Sequence, residues 1–196
     1  MRSLTHLHVH STYTLLGATA SVRALAARAA KEGMTHLALT DTNVLYGAVA
    51  FSQACRRTDI QPLLGMVLTV RPPASLAGEP TPDQLVLLAT GAAGYRSLCR
   101  LSSALQAHPE REALVKAGLD WDALKEQHHG LICIAGGRRS RLEAWLRTEQ
   151  SKTAGIYVGH LAGLFEERLY LALELHMPDD GAIARQVHAL GKRFGL

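Results

Sequence analysis

Short apolar runs alternate with amphipathic helical patterns along most of the chain, and this alternation restricts the fold more than any single motif. Ser21 opens a pattern in which Val22, Leu25, Ala26, Ala29 and Ala30 recur at three and four positions, with Arg23, Arg28, Lys31 and Glu32 opposite. Ser21 suits the N-cap and Gly33 the end. His36 to Asp41 is an apolar strand ending in a carboxylate, Gly47 to Arg57 a helix, and Gln61 to Val70 a strand. A Pro-rich loop follows from Arg71 to Pro82, then a buried strand from Gln84 to Ala89 and a helix from Gly94 to Gln106. Trp121 to Gln127 reads as a helix, Leu131 to Ala135 as a strand, and Arg141 to Glu149 and a stretch within 153–165 as helices. Leu169 to Glu174 is a strand and Gly181 to Phe194 a helix. Strands alternating with helices predict βα units, hence an α/β fold with a parallel sheet or barrel.

The size agrees with one domain over residues 1–196, since 47% hydrophobic and 19% charged residues are ordinary globular values. No apolar run approaches the roughly 20 residues of a membrane span, and Met1-Arg2-Ser3-Leu4 leads into histidines rather than a signal-peptide core. A soluble, cytoplasmic chain is expected. Cys55, Cys99 and Cys133 are far apart among apolar neighbours, which fits buried thiols better than disulfides or a zinc knuckle. The net charge of +4 permits an acidic partner without requiring one. Arg56-Arg57 and Arg138-Arg139 with Arg141 are short clusters without interleaved aromatics, so they read as solvated surface. The alternative, a nucleic-acid binder, predicts salt-sensitive DNA affinity from the same arginines.

Ten histidines are more unusual than the charge. In Leu4-Thr-His-Leu-His-Val-His10, period-two alternation predicts a strand with His6, His8 and His10 on one face and Leu7 and Val9 on the other. His8 and His10, with Asp41 closing the next strand, form a candidate site for zinc, manganese or iron, because barrel sites gather at the carboxyl ends of strands. The bland alternative is that these side chains hydrogen-bond loops at the strand ends. Asp120 and Asp122 precede a helix, where acidic residues cap. His128-His129 fit a helix end, Tyr95 fits packing, and Glu174-x-His176 closes a strand from which it could join the site. The sequence contains no Walker loop, dinucleotide glycine fingerprint, Gly-x-Ser-x-Gly elbow or His-Glu-x-x-His.

Taken together, His6-Leu-His-Val-His-Ser-Thr-Tyr-Thr-Leu-Leu16, Ala38-Leu-Thr-Asp-Thr-Asn-Val-Leu-Tyr-Gly47 and Ile60-Gln-Pro-Leu-Leu-Gly65 resemble the polymerase and histidinol phosphatase (PHP) domain family. The resemblance is to the version at the N-terminus of bacterial DNA polymerase III alpha subunits and error-prone DNA polymerases. Leu85 to Ala89, Gly94-Tyr-Arg-Ser-Leu98, Gly130 to Arg138 and Leu169 to Glu174 follow in the family's order. The resemblance implies a distorted TIM-like (β/α)7 barrel with a metal cluster at the strand ends, used by active members for phosphoester hydrolysis or proofreading. It also implies a parent DNA-directed DNA polymerase, a nucleotidyltransferase, in which this domain is a scaffold beside the remaining polymerase domains. A proofreading exonuclease subunit is an implied partner, and DNA is reached through the parent. The chain ends at Phe194-Gly195-Leu196, so the barrel is expected to be incomplete at the C-terminus.

Metal ligands carry over position by position. His8 and His10 match the family's opening pair and Asp41 its next carboxylate. Gly17 stands where the resemblance implies a carboxylate, Thr42 where it implies histidine and Val67 where it implies an acid. Gln84 replaces a histidine and Gly137 a cysteine or histidine, while the last Asp-x-His pair would follow Leu196. A multinuclear centre needs anionic ligands to offset several divalent charges. The implied site is therefore vestigial, holding no metal or one weakly bound zinc or manganese ion, and the segment is expected to be non-catalytic. The competing expectation is a metal-dependent phosphoesterase acting through His8, His10 and Asp41.

Overall fold

The computed structural model describes residues 4–76, 81–177 and 180–196; Met1-Arg2-Ser3 and part of the Pro-rich loop lie outside the described residues. Five strands form one sheet: β1 (His36–Leu39), β2 (Gln61–Val70), β3 (Asp83–Ala89), β4 (Leu131–Gly136) and β5 (Leu169–Ala172), in spatial order β1-β2-β3-β4-β5. Around it pack α1 (Val22–Lys31), α2 (Ala48–Arg57), α3 (Ala92–Gln106), α4 (Arg111–Ala117), α5 (Trp121–Glu126), α6 (Arg141–Arg147), α7 (Ser151–Phe165) and α8 (Asp180–Phe194).

The expected parallel sheet is corrected to a mixed one. β1 pairs with β2 and β4 with β5 in parallel, whereas β2–β3 and β3–β4 are antiparallel. Among the described residues no crossover helix separates β2 from β3, in keeping with their antiparallel pairing. The result is an α/β half-barrel of five strands among the described residues, which fits an incomplete TIM-like barrel.

Strand alternation divides the core in two. Met66, Leu68 and Val70 of β2, with Leu85, Leu87, Leu131 and Cys133, face the main cluster built with α3, α6 and α7, where Tyr157 and Phe165 are fully buried. Burying each such large apolar side chain contributes about 1.5–3 kcal/mol before ordering costs. On the opposite, inner face the described residues form a smaller apolar cluster of Ala38, Val67, Val86 and Leu88, with Leu63, Ile132 and Ile134 half-buried beside them. A third cluster joins α1 and α2 to β1 through Ala26, Leu37, Phe51 and Cys55. As expected, the Ser21 hydroxyl caps α1, accepting from the Ala24 N–H at 3.3 Å, and Gly33 takes a positive φ of 71° just beyond its end.

Residues 4–10 depart from the expected strand. His6 bridges Leu37 in parallel and its carbonyl accepts from the Ala38 N–H, but the segment bends at Leu7–His8. Beyond the bend, the Val9 N–H donates to Thr40 Oγ1 at 2.8 Å and the Val9 carbonyl accepts from the Thr40 N–H. The bend separates the three imidazoles: His6 shares a cleft with Val9 and α1, away from His8 and His10. Helix α4 had no counterpart in the sequence reading, and none of its residues is fully buried, so it carries little apolar periodicity.

Candidate functional site at the strand ends

The pairing directions bring the C-terminal ends of β1, β2, β4 and β5 and the N-terminal end of β3 to one rim of the half-barrel. There a cavity of about 420 Å³ opens. One wall carries His8, His10 and Gly17, the floor Val67, Gln84 and Val86, and the facing wall Gly136, Gly137, Arg138, Arg139, Ser140, Glu174 and His176.

His8 and His10 meet edge to face, their Nε2 atoms 3.0 Å apart. Asp41 is not a cavity-lining residue: it is 2% exposed and sits behind the loop at 11–17. Its Oδ1 accepts from the Ser11 N–H and the Thr14 hydroxyl, and its Oδ2 from the Ser11 hydroxyl, all at 2.7 Å. Donor counting fixes the rest of the chain of bonds. The Thr14 hydroxyl proton is committed to Asp41, and Thr14 Oγ1 accepts from the Thr42 N–H at 3.1 Å. His10 Nδ1, 3.2 Å from the same oxygen, must therefore be the protonated nitrogen. That leaves His10 Nε2 as an acceptor, and His8 Nε2–H as its donor. Burial lowers the pKa of both imidazoles. The neighbouring His10 lowers His8 further through charge while Glu174 acts to raise it, and the Asp41 carboxylate pulls His10 partly back up. The positive charge of Arg139 also acts on both rings in the lowering sense.

The facing wall is held by charge. Glu174 Oε2 accepts from the Arg138 N–H at 2.9 Å and lies 3.5 Å from His176 Nε2. Gly137 has a φ of +88°, and a Cβ there would stand 2.6 Å from Glu174 Oε1, so the carboxylate occupies the space of the missing side chain. Buried Asp180 takes the His176 and Met177 N–H groups on Oδ2 and Arg147 on Oδ1; these amides are the main reason its pKa falls to about 2. The loop bearing the arginines is anchored to β3 by Asp83, whose Oδ1 accepts from the Arg141 N–H at 2.7 Å. Its Oδ2 accepts from the Tyr157 hydroxyl at 2.6 Å. Complete burial pushes the Asp83 pKa up despite these donors.

The structure thus brings His8 and His10 together with Glu174 and His176 around one cavity, with Asp41 one hydrogen-bonded residue behind them. Asp120 takes the N-cap position of α5, as expected, but its side chain makes no capping hydrogen bond and instead pairs with Arg71, away from the rim. His128 lies beside Phe165 and is not among the residues that line the rim cavity. Arg138 and Arg139, read from sequence as solvated surface, are exposed but line the cavity. Asp83 was missed, because a lone acid before a strand looks like a loop residue.

Fit to a metal centre is decided by donor chemistry. Gly17, Val67 and Gly137 on the cavity wall offer no side-chain donor, Gln84 only a neutral amide, and three of the four lone-pair positions of Asp41 are taken. Among the described residues no group of three or more His, Cys, Asp or Glu is arranged to hold an ion. The residues present do not match a multinuclear cluster, and no chemical step is derived through one.

A five-stranded half-barrel with a polar rim at the strand ends places the chain among barrel-like α/β folds. A family model described as PHP domain matches residues 6–176, and the chain belongs to that family. It is 35% identical over 173 residues to the DNA polymerase III subunit alpha of Bacillus subtilis (strain 168), covering 88% of this chain and 13% of that protein. It is 33% identical over 210 residues to the error-prone DNA polymerase of Symbiobacterium thermophilum, covering 99% of this chain and 18% of that protein. The chain therefore spans less than a fifth of the length of these relatives. Among solved structures, a protein from Bifidobacterium adolescentis described as a metal-dependent phosphoesterase superposes with a TM-score of 0.59 at 16% identity, over 100% of this chain and 85% of that one. An amidohydrolase from Chromobacterium violaceum, solved with bound sulfate and no metal, gives 0.61 at 14% identity, over 98% and 84%. These two likenesses concern the fold alone.

Proposed function

We propose that the chain is a non-catalytic PHP domain within a longer DNA polymerase III alpha-like or error-prone polymerase polypeptide, acting in DNA replication or translesion synthesis. It serves there as a scaffold and protein-interaction module in the cytoplasm. Its partners are the remaining polymerase domains and a proofreading exonuclease subunit, with DNA reached through the polymerase. The observation that carries this reading is the composition of the cavity lining: Gly17, Val67, Gln84 and Gly137 stand in it at the positions where the family resemblance implies metal ligands. Similarity to two kinds of bacterial polymerase supports the setting.

The alternative, a metal-dependent phosphoesterase, has one observation in its favour. Two imidazole nitrogens 3.0 Å apart have the separation of neighbouring ligands on a single divalent ion about 2.1 Å from each. Metal analysis of the purified chain, joined to hydrolysis of p-nitrophenyl phosphate with added Mn²⁺ or Zn²⁺, separates the two. The scaffold reading expects substoichiometric metal and no turnover above that of His10→Ala. Stoichiometric, tightly held manganese or zinc with hydrolysis that His10→Ala abolishes overturns it.

A further inference from the structure

We propose that the chain associates with a second copy of itself through a patch beside the rim, where Leu15 and Leu16 of each protomer enter an apolar cavity of the other and Arg111 faces the partner's Glu112. This inference goes beyond the scaffold reading and does not depend on it.

The projecting half of the contact is a loop tip. Leu15 and Leu16 are the most exposed large apolar side chains among the described residues, at 85% and 109% of full exposure. A loose loop would fold such side chains back onto the surface, but this one is held open. The Thr12 N–H donates to the Ala20 carbonyl at 3.0 Å and the Thr14 N–H to the Ser11 carbonyl at 2.9 Å. The Gly17 and Ala18 N–H groups both donate to the Thr14 carbonyl, at 3.0 and 3.2 Å. From beneath, the Thr14 hydroxyl is tied to Asp41 and to the Thr42 N–H. Leu16 itself holds a φ of +60°, a conformation that a bulky residue keeps only where its surroundings impose it. Two exposed leucines fixed in this way are preorganised for a protein contact, because little further order is lost on binding.

The receiving half lies beside them, a cavity of about 670 Å³ lined with apolar surface from Tyr13, Val44, Tyr46 and Val115. Its walls are as fixed as the loop. The Tyr13 ring lies against Gly47, where an added Cβ would stand 2.9 Å from Cδ2, and it meets Tyr46 edge to face with centroids 6.4 Å apart. The Tyr46 hydroxyl donates to Gln106 Oε1 at 3.3 Å, and Gln106 Nε2 donates to the Asn43 carbonyl at 3.1 Å. Leu15 and Leu16 stand at the edge of this cavity without filling it, as their exposure shows. A two-fold axis uses both halves at once, since each copy in an isologous interface gives and receives the same groups.

Charge selects the second copy over a partner of one sign. Arg111 and Glu112 open α4, line the same cavity and are exposed, and no hydrogen bond or ion pair engages either side chain among the described residues. An acidic or a basic partner would set like charge against one of them, whereas a copy related by a two-fold axis can answer both. The patch is small, so the association is weak and transient.

The test is sedimentation equilibrium of the 196-residue chain from about 5 to about 500 µM. A monomer–dimer equilibrium is expected, with Kd on the order of 100 µM, the affinity of a small interface. Leu16→Ser should weaken it by at least about tenfold, as loss of a central apolar anchor does. Leu175→Ser, at another exposed leucine outside the patch, should change nothing. At low salt Arg111→Glu and Glu112→Arg should each weaken association by about threefold or more, and an equimolar mixture of the two should recover it, since opposite charges then face across the axis. All these positions are exposed, and circular-dichroism spectra matching that of the unaltered chain identify a loss as one of association rather than folding. A monomer at every concentration overturns the proposal and leaves the patch to a different protein. Association lost with Leu175→Ser but kept with Leu16→Ser also overturns it, and a mixture no tighter than its components overturns the two-fold arrangement. Metal content and phosphate-ester turnover are not read in this experiment, so the scaffold reading stands or falls separately.

Discussion

Across the rim cavity, the wall built by residues 8–17 and 41 faces the wall built by residues 136–140, 174 and 176, and the two hold their polar groups by different means. On the first, Asp41 is buried beneath neutral donors: a main-chain N–H and two hydroxyls take the place a cation would fill, and the bonds run on through Thr14 to His10 and His8. On the second, two consecutive glycines with positive φ lead into paired arginines, and carboxylates from other elements close the loop. A buried carboxylate can therefore be kept either by hydrogen-bond saturation, which fixes geometry, or by ionic partners, which leave charge facing outward. The first wall is a closed network, while the second retains unused donors.

The largest expected effect tests the closed network. Asp41→Ala removes the acceptor of three short bonds and leaves the Ser11 and Thr14 donors buried without partners. A loss of about 3–5 kcal/mol is expected in urea denaturation, since breaking a buried charged interaction from one side strands its partners. A loss below about 1 kcal/mol would mean that the donors find water and that the wall is not held by this carboxylate. Asp41→Asn, which keeps an acceptor oxygen, should fall between the two.

Much of this wall was legible in the sequence, because His8, His10 and Asp41 lie close in the chain to the strand and loop that position them. Helix and strand bounds were legible where one signal dominates, as at Ser21, Gly33 and the continuous apolar run Gln61 to Val70. Strand direction was not, since a loop at 71–82 carries no mark of whether the chain turns back or crosses over. Nor was the bend at Leu7–His8, where bonding to Thr40 overrides the period-two pattern and turns His6 away. The second wall was the least legible part. Its contacts join residues 36 apart for Arg138 and Glu174, 58 apart for Asp83 and Arg141, and 74 apart for Asp83 and Tyr157, distances over which local patterning carries no information.

A smaller effect sharpens the account of the second wall. In Gly137→Ala the new Cβ would meet the Glu174 carboxylate at 2.6 Å, and the backbone φ of +88° disfavours any L side chain. Glu174 is the far end of a flexible side chain and can swing aside, so the cost is mainly conformational, about 1–2 kcal/mol in the denaturation midpoint. The displaced carboxylate would also release the Arg138 N–H, and the amide resonance of Arg138 should move in the same variant. An unchanged Arg138 resonance would show that Glu174 holds the loop by some other route.

The smallest effect under ordinary conditions is confined to acid, and it concerns Asp180. The N–H groups of Met177 and His176, with Arg147, hold its carboxyl near pKa 2 in the folded chain, against an ordinary value of 3.8. A carboxylate whose folded pKa is depressed stabilises the fold fully above its unfolded value and loses that contribution as pH falls through the folded one. The contribution of Asp180 should therefore be constant near neutrality, decline from about pH 4 and be gone below about pH 2. Thermal midpoints measured across this window should fall less steeply for Asp180→Asn than for the unaltered chain. Parallel slopes for the two proteins would assign the acid sensitivity elsewhere, and would remove the ionic anchor that distinguishes the second wall from the first.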